Sequence, residues 1–162
     1  MEEADTVHSP LISILSHLNN QTEDSHSLNI HFLYSSRLPQ GPETASPDEL
    51  LDQILFLPRI RQIIRSQRQS HRLRISLDLY LTDPTSFRLS PAKCPADLTI
   101  HSRRIRKQDL LSAVLGGDGK LDPRESVAYV CGPPQMTDNM VELLKDVLGE
   151  GGEERVFFEK WW

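Results

Sequence analysis

Apolar residues recur along the start of the chain first with the period of a helix and then with the period of a strand. Between residues 11 and 18, leucine and isoleucine fall at helical spacing, which predicts a buried helical face. Ser9 suits the N-cap and Pro10 the first helical position, so we predict a helix over about 10–19. Residues 28–34 alternate and then run apolar, which predicts a strand.

The middle of the chain predicts a broken helix followed by a half-buried strand. Ser46 and Glu49 have the spacing of a capping box. Apolar residues from Leu50 to Ile64 continue the helical period, but Pro58 lies inside the pattern and predicts a kink or a split into two helices. Residues 73–81 alternate strictly, which predicts an outer strand of the sheet rather than a central one.

The last part of the chain again alternates strands with helices. This succession predicts an α/β fold with a doubly wound parallel sheet. Between the outer strand and these elements we expect an irregular loop over 83–97. The further predicted elements are an extended segment at 99–105, a helix at 107–115 ending in a glycine turn at 116–119, a strand at 127–131, a helix at 134–148 that stops at Gly149, and a strand at 155–159.

Size and composition fit one ordinary domain over 9–162, preceded by an acidic tail at 1–8. The chain has 162 residues, of which 38% are hydrophobic and 25% charged, as in soluble globular proteins. The 23 acidic residues outnumber the 18 basic ones, so no charge argument favours nucleic acid as a partner. No apolar run approaches the roughly 18–20 residues that a membrane span needs. Cys94 and Cys131 have neither metal-ligand spacing nor a disulfide framework.

The most informative run extends from Val127 to Met136. An apolar stretch leads into Cys131, and two prolines and an amphipathic segment follow almost at once. The pattern predicts a buried strand that brings a thiol to the rim of a sheet, where a helix begins. Parallel sheets bind ligands outside the carboxyl ends of their strands. On spacing alone, a small buried cysteine is an equally good interpretation of Cys131.

The Cys-Gly-Pro-Pro run at 131–134 resembles that of the ferredoxin–NADP reductase-like flavoenzymes. The resemblance implies an NAD(P)-binding module that passes hydride from NAD(P)H to FAD, the chemistry being the cofactors' own. It implies that Cys131 lies beside the nicotinamide ring and that Gly132 permits close approach of the backbone. Pro133 and Pro134 would stiffen the turn.

The end of the chain, at 157–162, resembles the ending of the oxidoreductase NAD-binding domain-containing subfamily. The resemblance places Glu159 near the thiol and Trp162 near the flavin or nicotinamide, where an indole stacks well on a flat heterocycle. It also places Met136 at a helix start whose amides favour an anion. The alternative for the two terminal tryptophans is packing against the protein's own surface.

Ser36 and Arg37 follow the strand predicted at 28–34. By the resemblance they lie near the adenosine ribose or its 2′-phosphate, and a planar guanidinium suits a phosphate because it donates two parallel hydrogen bonds. No acidic residue closes this strand to hold a free 2′-hydroxyl, which favours NADP over NAD. The alternative is an ordinary polar start of a loop.

Other candidate sites lack the required spacing. The glycines of 116–120 do not form a Walker loop, and 118–125 does not form a calcium loop. Six histidines show no metal pattern. The basic stretches 59–74 and 103–107 are interpreted as solvated faces.

The resemblance begins only at Ser9 and Pro10, which match the opening of the family's first helix. In the family a central strand and a glycine-rich turn precede this point and hold the pyrophosphate, and a flavin-binding barrel precedes the whole module. Residues 1–8 contain no glycine. We therefore expect a truncated sequence that lacks its central strand and is marginally stable or aggregation-prone. By resemblance the intact protein is mitochondrial, and otherwise cytoplasmic.

Two functional hypotheses follow. In the first, the chain is the NAD(P)H-binding half of a flavin-dependent oxidoreductase, and a separate domain or protein supplies the FAD site. Its incomplete pyrophosphate site then leaves catalysis by the chain alone in doubt. In the second, the chain is a non-catalytic remnant that acts as a protein-interaction module.

Overall fold

A computed structural model describes residues 9–21, 27–39, 45–67, 72–82 and 95–161. The chain is mixed α/β, and every described strand pair is parallel. Two short 3₁₀ turns, at Pro123–Glu125 and Gly152–Arg155, lie between the main elements. In chain order the helices and strands are α1 (Pro10–Asn20), β1 (Leu28–Ser36), α2 (Pro47–Leu51), α3 (Leu57–Gln67), β2 (Leu73–Leu81), β3 (Thr99–His101), α4 (Lys107–Leu115), β4 (Ala128–Gly132), α5 (Pro134–Leu148) and β5 (Val156–Lys160).

The described residues form two compact units, one within residues 18–105 and the other within 1–17 and 106–162. The 18–105 unit contains a three-stranded sheet in the order β1-β2-β3. Leu28 lies opposite Leu73 at one end of the β1–β2 register, and Ser36 lies opposite Leu81 at the other. Its core consists of buried aliphatic side chains from the helices and from β2, among them Leu50, Leu51, Ile54, Leu57, Ile60, Ile63, Leu73, Leu77, Leu79 and Leu81.

The second unit contains a two-stranded sheet, β4 beside β5. Helix α5 packs against both strands and against α4. Val130 and Val156 point to the helix side of this sheet and are buried, as are Val141, Leu144 and Leu148 of α5. One face of the sheet thus builds the core of the unit.

Pro58 divides the helical pattern, as the sequence predicts. Ser46 caps α2 in a capping box, since its side chain accepts from the Glu49 amide and the Glu49 side chain accepts from the Ser46 amide. The helix ends at Leu51, and α3 begins only after Phe56, whose φ is 65°. Pro58 then occupies the first turn of α3, where its missing N–H is not needed.

The prediction that residues 73–81 form an outer strand is wrong. Strand β2 lies between β1 and β3 and is paired on both edges. Its alternation reflects exposure of one face, not of one edge, because Arg74, Ser76 and Asp78 share a face. The mixed α/β class with parallel strands is confirmed, with the described strands in sheets of three and two.

The interpretation of 59–74 as a solvated basic face is wrong for Arg61. Its side chain is only 8% exposed and forms ion pairs with Asp48, Asp52 and Asp97. Ile60 and Arg61 are consecutive residues of α3, and both are buried, so the buried face of the helix is wide enough to include position 61. Acidic partners supplied from distant positions then make the burial of the guanidinium possible.

The guanidinium of Arg155 holds together the carboxyl end of α5. Its N–H groups donate to the carbonyl oxygens of Leu148, Glu150, Gly151, Pro123 and Ser126. The last carbonyls of a helix have no partner within the helix. Arg155 therefore satisfies groups that would otherwise be left without a partner, and it sets the path into β5.

Candidate functional site

The junction between β4 and α5 forms the turn that the sequence predicts. Strand β4 ends at Gly132, Pro133 stands at the N-cap of α5, and Pro134 occupies the first helical position. The amide of Thr137 donates to the carbonyl of Pro133 at 2.9 Å, which closes the first helical turn. The two prolines therefore fix where the strand ends and the helix begins.

Gly132 lies tightly against the first turn of α5. A Cβ atom at this position would come 2.0 Å from the Cε of Met136. The hydroxyl of Thr137, which is fully buried, donates to the Gly132 carbonyl at 3.0 Å. A side chain at this position would displace the end of the Met136 side chain, which fills the space beside Gly132.

Cys131 and Glu159 are direct neighbours on β4 and β5. They are partners in the parallel register, one position beyond Val130 and Phe158. Because Val130 and Gly132 face α5, the alternation of strand side chains puts Cys131 and Glu159 on the opposite face. The structure thus brings together the thiol and the carboxylate that the resemblance implies.

Three aromatic residues complete this face. The phenol of Tyr129 donates to Glu159 Oε2 at 3.3 Å. The backbone N–H of Trp161 donates to the Gly132 carbonyl at 3.1 Å, which continues the strand pairing past β5. Phe157 and Trp161 are 51% and 53% exposed. We call the set Tyr129, Cys131, Phe157, Glu159 and Trp161 the thiol face.

The surroundings of Cys131 keep its thiol neutral. Burial raises its pKa, and the nearby negative charge of Glu159 raises it further, while a hydrogen bond from the Trp161 side chain acts in the opposite direction. The pKa of Tyr129 is also raised, by desolvation and by Glu159. A neutral thiol is a poor nucleophile.

An ion pair links α5 to the end of β5. Lys160 Nζ lies 2.7 Å from Asp138 Oδ1. No side chain caps the helix at Pro133, so the first amides of α5 have no side-chain acceptor of that kind. Met136, which the sequence predicts near a bound anion, lies in this turn beside Gly132.

The remaining predicted site residues lie elsewhere. Ser36 ends β1 in the 18–105 unit, where its hydroxyl donates to the Arg37 carbonyl at 3.0 Å. Arg37 is exposed and forms no ion pair with any residue that the structure describes. In the other unit Ser9 precedes α1, its carbonyl accepts from the Ser13 amide, and Pro10 is the first residue of the helix. Trp162 lies outside the described residues, as do Cys94 and the tail at 1–8.

Sequence reasoning missed two residues of the site. Tyr129 is two positions before Cys131, so the period of a strand was the signal that puts both on one face. Thr137 was not singled out, because nothing in a lone threonine indicates that it will bond the carbonyl of Gly132.

A second polar cluster, also not foreseen, lies at the carboxyl ends of β2 and β3. His101 Nε2 is 2.8 Å from Asp78 Oδ1, and its ring stacks on that of Tyr80 with centroids 4.5 Å apart. The guanidinium of Arg103 lies 5.4 Å from the centroid of the Tyr80 ring. This cluster attaches the short strand β3 to β2.

Metal and membrane sites receive no support within the described ranges. Over those residues, no group of three or more His, Cys, Asp or Glu side chains could hold a metal ion. The same residues include no helix with the length and apolar character to cross a membrane. Comparison with protein-family models, with curated proteins and with solved structures gave no match to this chain.

Proposed function

We propose that this chain is the NAD(P)H-binding half of a flavin-dependent oxidoreductase, built on the doubly wound sheet of the ferredoxin reductase type. The observation that carries the proposal is the thiol face, where a neutral thiol, a carboxylate and an indole lie side by side at the carboxyl ends of β4 and β5. Ligands of parallel sheets bind outside that edge.

In this proposal each residue has a positioning task. The neutral Cys131 and the half-exposed Trp161 offer an apolar contact to a flat nicotinamide ring. Gly132 keeps the turn close to the helix, and the first amides of α5, near Met136, face a phosphate. Hydride transfer itself is supplied by the nicotinamide and by an FAD that a separate domain or protein binds.

For the adenosine end of the nucleotide, the proposal rests on the family resemblance alone, which implies Ser36 and Arg37. The exposed guanidinium of Arg37 suits the 2′-phosphate, which favours NADPH over NADH. The deciding measurement is a titration of the chain with each nucleotide, followed by tryptophan fluorescence and calorimetry. We expect saturable quenching, with NADPH binding at least tenfold more tightly than NADH.

The Arg37→Gln variant should lose that tenfold preference while it retains NADH binding. Arg124→Gln is the matched control, because the Arg124 side chain is exposed in the other unit and its hydrogen bond to Asp122 comes from the backbone N–H, which the substitution keeps. Absence of quenching at millimolar nucleotide would refute the proposal. A diaphorase assay with an added flavin domain then separates binding from turnover.

A protein-interaction module is the second candidate, and the exposure of the thiol face favours it. Phe157, Trp161 and Val127 present apolar surface that no described element covers. Uncovered apolar patches of this kind mark interaction sites. Two results together would favour this candidate. The chain would bind neither nucleotide, and the Phe157→Lys substitution would abolish binding to one defined protein partner.

A further inference from the structure

The edge of β1 that faces away from β2 presents a regular row of backbone groups. The Leu28 amide donates to the Arg72 carbonyl, and the Ser36 carbonyl accepts from the Thr82 amide. Both ends of β1 therefore point their backbone groups towards β2, and so do the alternate residues between them. Asn29, His31, Leu33 and Ser35 point their N–H and C=O groups away from β2, where β1 has no strand partner among the described residues.

The residues of β1 provide none of the usual protection against pairing. Natural edge strands are short or carry lysine, proline, inward charges or a bulge. The nine residues of β1 include no proline and no Asp, Glu, Lys or Arg, and they pair with β2 without a break in register. The opposite edge of the same sheet is β3, which is only three residues long and is followed by two arginines.

The sequence of β1 complements itself when two copies run antiparallel. With the twofold axis beside Phe32, the two Phe32 side chains are opposite each other and Ile30 is opposite Tyr34. On the other face Asn29 is opposite Ser35 and His31 is opposite Leu33. At the centre of the Phe32 face, aromatic and β-branched side chains thus meet each other, as in stable cross-strand pairs, and no pair along the strand sets like charges against each other.

We propose that two copies of this chain associate through their β1 edges, forming one continuous six-stranded sheet across a twofold axis beside Phe32. A second copy is the occupant that this edge fits, because an uncharged strand offers no charge pattern by which to select a different protein. The same edge on both subunits makes the interface isologous and closed. This inference is independent of nucleotide binding.

The test uses the full chain and a proline substitution. Ser35→Pro removes an N–H that points away from β2, so it leaves the β1–β2 bonds intact and blocks only the new pairing. Ser35→Ala is the matched control, since it keeps the N–H. In sedimentation velocity we expect a dimer of about twice 18.5 kDa for the wild type and Ser35→Ala. For Ser35→Pro the dimer dissociation constant should rise at least tenfold.

Hydrogen exchange on the wild type gives a second readout that does not depend on the folding of a variant. The amides of Asn29, His31, Leu33 and Ser35 should become protected as protein concentration rises, while those of the alternate residues stay protected throughout. A monomer at all concentrations, or a dimer that survives Ser35→Pro, would overturn the proposal. Equal protection of the four amides at every concentration would also overturn it, because the edge would then be covered within one chain.

Discussion

The thiol of Cys131 has two neighbours that act on its pKa in opposite directions. Desolvation and Glu159 raise the pKa, and the Trp161 side chain lowers it. At neutral pH the raised pKa leaves little thiolate, so alkylation of Cys131 should be slower than that of an ordinary cysteine.

Exchange of either neighbour should change the alkylation rate predictably. Glu159→Gln removes a negative charge, lowers the pKa of Cys131 and speeds alkylation at pH 8 by severalfold. Trp161→Phe removes the hydrogen bond, raises the pKa and slows the reaction. Both are measured by mass spectrometry with iodoacetamide, in a Cys94→Ser background. If Glu159→Gln left the rate unchanged or slowed it, the thiol and the carboxylate would not be coupled.

At the scale of single residues, a feature could be predicted from the sequence when the residues that form it are close together along the chain. The Ser46–Glu49 capping box and the Cys-Gly-Pro-Pro turn are local patterns. The structure confirms the capping box and confirms that a strand ends and a helix begins at the turn. Burial of Arg61 could not be predicted, because its partners Asp48, Asp52 and Asp97 come from separate segments. The neighbourhood of Cys131 and Glu159 followed only from a family resemblance, since parallel strand register is not readable from either strand alone.

At the scale of elements, single arginines join segments that share few other contacts. Arg155 joins the end of α5 to the turn before β4, and Arg61 joins α2 and α3 to the turn before β3. A planar guanidinium can do this because it carries several N–H donors in a fixed fork. Replacement by lysine is therefore not conservative at either position.

Loss of Arg155 should destabilise the unit that contains β4 and β5. Arg155→Gln leaves several carbonyls without their donor, and we expect the free energy of unfolding to fall by about 2–4 kcal/mol. Urea denaturation measures the change. Arg124→Gln, at an exposed position nearby, should change it by no more than about 0.5 kcal/mol. Equal effects from both variants would show that the bonds of Arg155 contribute nothing.

Asp97 should make the stability of the other unit dependent on pH. Burial disfavours its charged form, yet the hydrogen bond and charge of Arg61 hold its pKa below the usual value. Its stabilisation is therefore complete above the ordinary aspartate pKa of about 4 and is lost as pH falls through the lower, folded-state value.

Substitution of Asp97 tests this dependence directly. Its side chain is 4% exposed, so Asp97→Asn should cost about 2–4 kcal/mol at pH 7. The difference in unfolding free energy between the wild type and Asp97→Asn should become smaller as the pH is lowered. Glu153→Gln, which alters an exposed pair with Lys145, is the control and should change stability little. If this difference in unfolding free energy did not change with pH, the charge of Asp97 would not be the source of its stabilising effect.

At the scale of the whole molecule, the described residues form two units with small parallel sheets, and each sheet has an open edge. Length, composition and alternation predicted the mixed α/β class and most element bounds. They could not predict the division into sheets of three and two, because strand neighbours are set by long-range pairing. For the same reason β2 was placed at the outside, although it is the middle strand of its sheet.

The exposed thiol face should govern the solubility of the molecule. Phe157→Lys replaces a half-exposed ring on β5 with a charge, so it should lower binding of a fluorescent apolar dye and slow aggregation at 37 °C by severalfold. Unfolding free energy should change by no more than about 0.5 kcal/mol. Val156→Thr, at the neighbouring buried position, should instead destabilise the protein and increase aggregation. Unchanged dye binding in Phe157→Lys would mean that another surface drives association.

The saturated guanidinium of Arg155 has a consequence for covalent labelling. Dicarbonyl reagents such as phenylglyoxal condense with guanidinium nitrogens that are accessible and free of hydrogen bonds. Arg155, which donates to five carbonyls, should remain unlabelled until the protein unfolds, whereas the exposed Arg37 should react at once. One peptide map then compares the two states, since adducts at Arg155 count unfolded molecules while adducts at Arg37 form on folded and unfolded molecules alike.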